Sequence, residues 1–301
     1  MSTKAKCLKC GHTIPLVQTA IPIVHPTGKR YYCRECAEEA FRRSRSGATY
    51  SQENVTYKSK PTSEGFTISK EFETSTWIGE NLDRETQLYI VANLDFRGWI
   101  ATFDCTVWVE FKSPIYNGLN GYNKDSKAIE AIAQVARWRH MTDYGTHTNI
   151  GHNDFTEYRM GILRQWRETL FTPLQTYLVS NSERCKDIFG RKIGGWAGTM
   201  GSNPLEHPVF INLQHKDWVE FRINKYVSFE QDSYATKVCI ALFELMLDFT
   251  RKIEANRRTY SGRELANKNR EIATKYGDKL AATFDKMWMA KYGIRTAEIT
   301  A

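Results

Sequence analysis

The sequence predicts an α+β fold, a largely antiparallel sheet covered by helices, preceded by a small module built around four cysteines. Three observations predict it. Two Cys-x-x-Cys pairs lie near the N-terminus. Strand-like runs follow, are interrupted by helices and return, and long helical runs close the chain, an order unlike regular βαβ alternation. At 301 residues, 41% hydrophobic and 25% charged, the chain can bury a sizeable core and has the balance of a globular protein in water.

The cysteine module comes first. Cys7 and Cys10 form one pair, Cys33 and Cys36 the other, with 22 residues between the pairs. A Cys-x-x-Cys turn aims two sulfurs at one point, and two such turns supply the four ligands of a closed tetrahedral site. We therefore expect one structural zinc ion in a zinc-ribbon-like module over residues 1–45. A closed thiolate shell leaves no position for catalysis. Pro22, Pro26 and Gly28 suggest a looped-out hairpin between the pairs, and a short helix is expected at 37–45. Cys105, Cys185 and Cys239 are scattered and read as small buried apolar residues.

Residues 46–64 are polar, rich in Ser and Thr, and lack periodicity, which reads as a linker. From residue 65 to 301 a larger domain is expected. β-branched and aromatic content predicts strands at 65–73, 88–93, 99–112, 208–213 and 217–223. Helical spacing predicts helices at 127–141, 155–171, 173–181, 232–258 and 263–290, the clearest being the apolar run within 232–258.

Net charge is +8, and residues 1–60 hold eleven Lys/Arg against four Asp/Glu. Such a basic module, set apart by a polar linker, is expected to dock a larger substrate or a polyanion such as nucleic acid. A second basic excess, in the last fifty or so residues, fits solvated helix faces as well as it fits a partner. No apolar run reaches the ~18 residues that span a bilayer and no apolar leader opens the chain, so a cytoplasmic protein is expected. No Gly-rich phosphate loop of the Walker or dinucleotide type occurs.

Four short segments concentrate acidic and metal-binding side chains. Alternation puts Glu71 and Glu73 on one face of a strand, with Phe72 on the other. The same parity joins Asp104 to Glu110, and Glu220 to Arg222. His147 and Asn149 complete the set. Singly, polar residues at alternate strand positions usually face water. Together, carboxylates among aromatic and β-branched neighbours in central strands need something to pair with. Divalent cations held by oxygen ligands and one imidazole meet that need.

The order of these segments resembles the amidoligases of the carboxylate–amine ligase superfamily, relatives of glutamine synthetase and γ-glutamylcysteine ligase. The G-x-E-x-E-like pattern of that family is similar to Gly65 with Glu71 and Glu73. Its Asp…Glu…Ser-Pro pattern is similar to Asp104, Glu110, Ser113 and Pro114. Its G-x-H-x-H pattern is similar to Gly145, His147 and Asn149, with Asn for the second His. An N-L strand followed by E-F-R is similar to Asn212, Leu213, Glu220, Phe221 and Arg222.

The resemblance covers roughly residues 65–255 and implies an ATP- and Mg-dependent ligase. In such a ligase an amide forms between a carboxylate and an amine through an acyl phosphate. It implies Glu71, Glu73, Glu110, His147 and Glu220 as magnesium ligands. Arg222 would be the phosphoryl clamp, with Asn149 and Lys112 beside the nucleotide phosphates. Asp104 would be either a ligand or the base that orients the amine. The alternatives are a nucleic-acid-binding zinc protein with a non-catalytic domain, and phosphoryl transfer on the same fold.

Overall fold

The computed structural model describes residues 4–15, 20–45, 65–74, 82–102, 109–135, 145–193 and 210–293. Two small antiparallel hairpins come first: β1 (Lys4–Lys6) with β2 (Thr13–Pro15), and β3 (Ala20–Ile23) with β4 (Arg30–Cys33). Helix α1 (Arg34–Arg45) follows directly, three residues earlier than the spacing predicts.

The main sheet is built from β5 (Phe66–Thr74), β6 (Ile100–Thr102), β7 (Val109–Lys112), β9 (Thr146–His152), β10 (Ile211–Asn212) and β11 (Trp218–Asn224). They lie in the order β10-β11-β9-β5-β7-β6, every pair antiparallel, and β8 (Tyr116–Asn117) pairs with the start of β5. The helices are α2 (Arg84–Phe96), α3 (Gly118–Asn123), α4 (Ser126–Val135), α5 (Glu157–Gln165), α6 (Arg167–Ser180), α7 (Ser182–Phe189), α8 (Phe229–Thr259) and α9 (Gly262–Tyr292). The α+β class expected from the sequence is thus the observed one, with an antiparallel sheet behind small hairpins. No helix among the described residues is long and apolar enough to cross a membrane.

Alternation sorts the strands cleanly. Phe72 of β5, Phe111 of β7, Ile150 of β9, and Val219, Phe221 and Ile223 of β11 point into the helical layers. There they meet Val238, Leu242, Phe243 and Met246 of α8, and Ile90, Leu94, Ile129 and Ile132 of α2 and α4. Outside α8, helices α6 and α9 pack closely. A Cβ at Gly277 would stand 2.8 Å from the Thr169 carbonyl oxygen, so the approach requires glycine.

One charged residue joins this face. Lys70 is fully buried and donates to Asp232 at 2.9 Å, Thr148 at 2.7 Å and Thr236 at 3.1 Å. Tyr122 donates to the same carboxylate at 2.6 Å. A buried ion pair persists only when its remaining valences are satisfied, as here, and it ties the first turn of α8 to the centre of the sheet.

The structure corrects several sequence expectations. Residues 88–93 are not a strand but the middle of α2. Asp83 caps that helix by accepting from the Thr86 amide at 2.9 Å. Its Ile90 and Leu94 face the sheet, whereas Leu88, Val91 and Ala92 face the cysteine module. Burial on both sides erases the amphipathic period and leaves a continuous apolar run that reads as a strand. The strand expected over 99–112 is seen as β6 and β7, and residues 103–108, with Asp104 and Cys105, lie outside the described residues. The helix break expected at 172 falls at Trp166, and Pro173 sits inside α6. Strand β9 and helix α7 were not expected.

The hairpin module shares a core with the rest of the chain. Ile21, Ile23, Tyr32, Ala37 and Phe41 pack with Leu88, Val91 and Ala92 of α2. Asn93 accepts from the Val24 amide at 2.8 Å and donates to the Pro22 carbonyl at 3.0 Å. Asp95 pairs with Lys9 and Arg43 and accepts from Tyr32.

Candidate functional site

The four module cysteines converge as their spacing requires. Their sulfurs lie within 4.8 Å of one another, and none is in a disulfide. Cys7, Cys33 and Cys36 are buried and Cys10 is exposed. Backbone amides are aimed at the sulfurs, Cys33 N to Cys7 Sγ at 3.2 Å and Cys36 N to Cys33 Sγ at 3.4 Å. Burial raises the Cys7 thiol, yet the amides of Cys10, Cys33 and Lys9 outweigh it and bring the pKa to about 6. Burial and the neighbouring sulfurs push Cys36 upward. Four clustered thiols that cannot all ionise alone are consistent with a structural zinc ion.

The second cluster lies on the face of the sheet opposite the helices. Glu71 stands across from His147 on one side and Lys112 on the other. Glu73 stands across from Glu110, and Asn149 lies between Ser69 and Glu220. The period of two puts all these side chains on one surface.

The side chains meet closely. Ligand atoms of Glu71, Glu110 and His147 lie within 4.8 Å of one another, and all three residues are buried. His147 Nδ1 is 3.4 Å from Glu71 and 2.8 Å from Glu220, and its Nε2 is 3.3 Å from Glu73. Despite these neighbours, Nδ1 is a buried nitrogen with no aligned hydrogen bond. Asn149 donates to Glu71 at 2.7 Å, and Lys112 pairs with Glu110 at 2.9 Å.

Glu220 is only 2% exposed, and four groups converge on it. Arg222 Nε donates to it at 2.9 Å and Asn212 at 2.6 Å, while His215 Nε2 lies at 3.0 Å and His147 at 2.8 Å. His215 is held by stacking on Trp218, ring centroids 4.2 Å apart.

Electrostatics follow from this crowding. Burial raises Glu71, but the His147 contact, a hydrogen bond with Glu110 and the charge of Lys112 bring its pKa down to about 2. Burial, followed by the charge of Glu71, holds Glu110 well above the usual carboxylate range. Burial depresses His147, but the charges of Glu73 and Glu220 more than reverse this and raise it. Lys112 and Arg222, with the raised His147 and Glu110, offset the ionised carboxylates. A divalent ion bound among them would compete with those protons.

Every magnesium ligand expected from the sequence is thus gathered on one face: Glu71, Glu73, Glu110, His147 and Glu220. Asn149, Lys112 and Arg222 stand among them. Sequence reasoning missed His215, which sits in the turn between β10 and β11, and Ser69, whose parity matches Glu71. The only signal for His215 was its place in the short stretch that joins Asn212 to Glu220. Compared with known proteins, the sequence matches no protein-family model and no curated protein.

Proposed function

We propose that this protein is an ATP- and Mg-dependent ligase that joins a carboxylate to an amine. One observation supports it above all. Glu71, Glu110 and His147 bring three ligand atoms together on a buried sheet face, and the buried imidazole Nδ1 makes no aligned hydrogen bond. Buried carboxylates this close ionise together only when a cation pays their desolvation.

These donors, two carboxylates and an imidazole, can hold a divalent ion. Glu71, Glu110 and His147 would hold it, with Glu73 beside the other ring nitrogen. Magnesium bound there would supply neutralising charge for a triphosphate and for the transferring phosphoryl group. Asn149 and Lys112 orient the Glu71 and Glu110 carboxylates. Arg222, its plane fixed by Glu220, presents a guanidinium to phosphate oxygens.

The reaction balances as two displacements. A carboxylate oxygen of the acid attacks the γ-phosphorus of ATP, and the bond to ADP breaks. The amine nitrogen then attacks the acyl carbon, phosphate leaves with the C–O electron pair, and the amine loses a proton. The resemblance to amidoligases supports the same reading, and the four-cysteine module is assigned one structural zinc ion. Incubation of the purified protein with ATP, Mg²⁺ and pooled acids and amines tests it. ADP, free phosphate and a new amide by mass spectrometry are expected. A phosphorylated acceptor without free phosphate marks phosphoryl transfer instead, and no ATP turnover with any pool rejects the ligase.

A further inference from the structure

Arg191 is a cation at the acidic site that sequence reasoning did not single out. Helix α7 ends at Gly190, whose φ is +73°. A Cβ at Gly190 would lie 2.5 Å from the Lys225 carbonyl oxygen, so the turn admits only glycine. The turn is pinned on several sides: Gly190 N donates to Lys186 O at 2.8 Å, and Lys225 N donates to Phe189 O at 2.7 Å. The Cys185 thiol, pushed by burial to about 12 and so kept protonated, donates to the Arg191 carbonyl at 3.4 Å. The chain thus delivers Arg191 to a set place.

That place is defined by Gly145. A Cβ added there would stand 3.4 Å from Arg191 Nη1, 3.2 Å from Glu73 Oε2 and 3.6 Å from His147 Nε2. The guanidinium, a carboxylate and the imidazole therefore converge on one point beside the sheet. Lys112 is tied to Glu110 and Arg222 to Glu220. Among the described residues, the half-buried Arg191 guanidinium makes no ion pair as close as those of Lys112 and Arg222, and the charge of Glu73 offsets only part of its burial. A partly desolvated guanidinium carries a desolvation cost that an incoming anion would offset.

We infer that Arg191 is an oxyanion receptor, binding a carboxylate or phosphate group that is presented to a cation held by Glu71, Glu110 and His147. The inference deepens the ligase reading and rests on it. A guanidinium suits the task because its planar fork matches two oxygens of either group.

The test uses the full chain. Mn²⁺ affinity is measured by electron paramagnetic resonance, and tripolyphosphate and acetate are then titrated calorimetrically into the Mn²⁺-loaded protein. Wild type should bind at least one anion, and which one separates a nucleotide phosphate from an acid substrate. Arg191→Gln should weaken that anion by about 10–100-fold, the scale of a lost charge-assisted pair of hydrogen bonds, with Mn²⁺ affinity unchanged. Arg191→Lys should fall between the two. Gly145→Ala, which keeps the charge and crowds Arg191 Nη1 and Glu73 Oε2, should also weaken the anion and serves if Arg191→Gln does not fold. Unchanged anion binding in the folded variants, no anion binding by wild type, or an equal loss of Mn²⁺ affinity overturns the receptor. Arg191-dependent tripolyphosphate binding by a protein that does not bind Mn²⁺ would keep the receptor and reject the cation site.

Discussion

Glu71 and His147 stand directly opposite each other across β5 and β9, with Nδ1 of the imidazole 3.4 Å from the carboxylate. Their strands are far apart in sequence, so the pair exists only through sheet register.

The first prediction concerns pH. Glu110 is raised on folding, so its contribution to stability is full below its unfolded pKa of ~4.3 and is lost as pH rises through the folded value. His147 is raised too, and its contribution is full below ~6.5 and lost as pH rises further. Glu71, lowered to about 2, runs the other way: its contribution is complete above ~4.3 and is lost as pH falls from there through about 2. In EDTA the melting temperature should therefore drop between about pH 6 and pH 9. Mn²⁺ should raise it more at the higher pH, because there fewer protons must be displaced. Equal Mn²⁺ stabilisation at both pH values in thermal scans would speak against a cation among these three residues.

Glu220 and Arg222 should fail differently. Glu220→Gln keeps the shape but removes the charge that Arg222 and His215 share, so more Mg²⁺ should be needed for ATP turnover, and added Mg²⁺ should recover part of it. Arg222→Ala should keep metal and nucleotide binding and slow turnover by about 10²–10³-fold, the scale of removing one transition-state donor. Steady-state kinetics across a Mg²⁺ series distinguishes the two. Wild-type turnover in both folded variants would leave only a stabilising ion pair.

Lys70 tests the opposite face. Lys70→Ala strands the Asp232 carboxylate in the core and should cost about 3–5 kcal/mol in urea unfolding. Lys70→Met combined with Asp232→Leu should recover much of that loss, since apolar pairs often replace buried ion pairs at little cost. Mn²⁺ affinity should stay at the wild-type value in the double variant, because the pair lies behind the sheet. A mild loss in Lys70→Ala would show that water reaches Asp232.

The module should behave as part of the core. Metal analysis should give close to one zinc ion per chain. Cys33→Ser should lose that ion, loosen the packing of Tyr32, Ala37 and Phe41 on Leu88, Val91 and Ala92, and lower the melting temperature. Amide hydrogen exchange should then accelerate in α2 before α8. Unaltered protection of α2 in the zinc-free protein would mean that the module is only tethered.

Much of the site was legible because strand geometry is local. A period of two puts Glu71 with Glu73 and Glu220 with Arg222 whatever else the chain does. The two cysteine pairs carry their geometry within single turns, and the apolar stripe of α8 marks its own inner face. These the sequence determined by itself. The tertiary structure alone decided that β9 enters between β5 and β11, which sets His147 between Glu71 and Glu220. It decided that Lys70 turns inward to Asp232 and that Arg191 reaches the site beside Gly145. It also made residues 88–93 a helix, since the sheet and the cysteine module together cover both sides of α2. The reason is the same in each case: parity is a property of a few neighbouring residues, whereas register and two-sided burial depend on partners that the chain brings close only by folding.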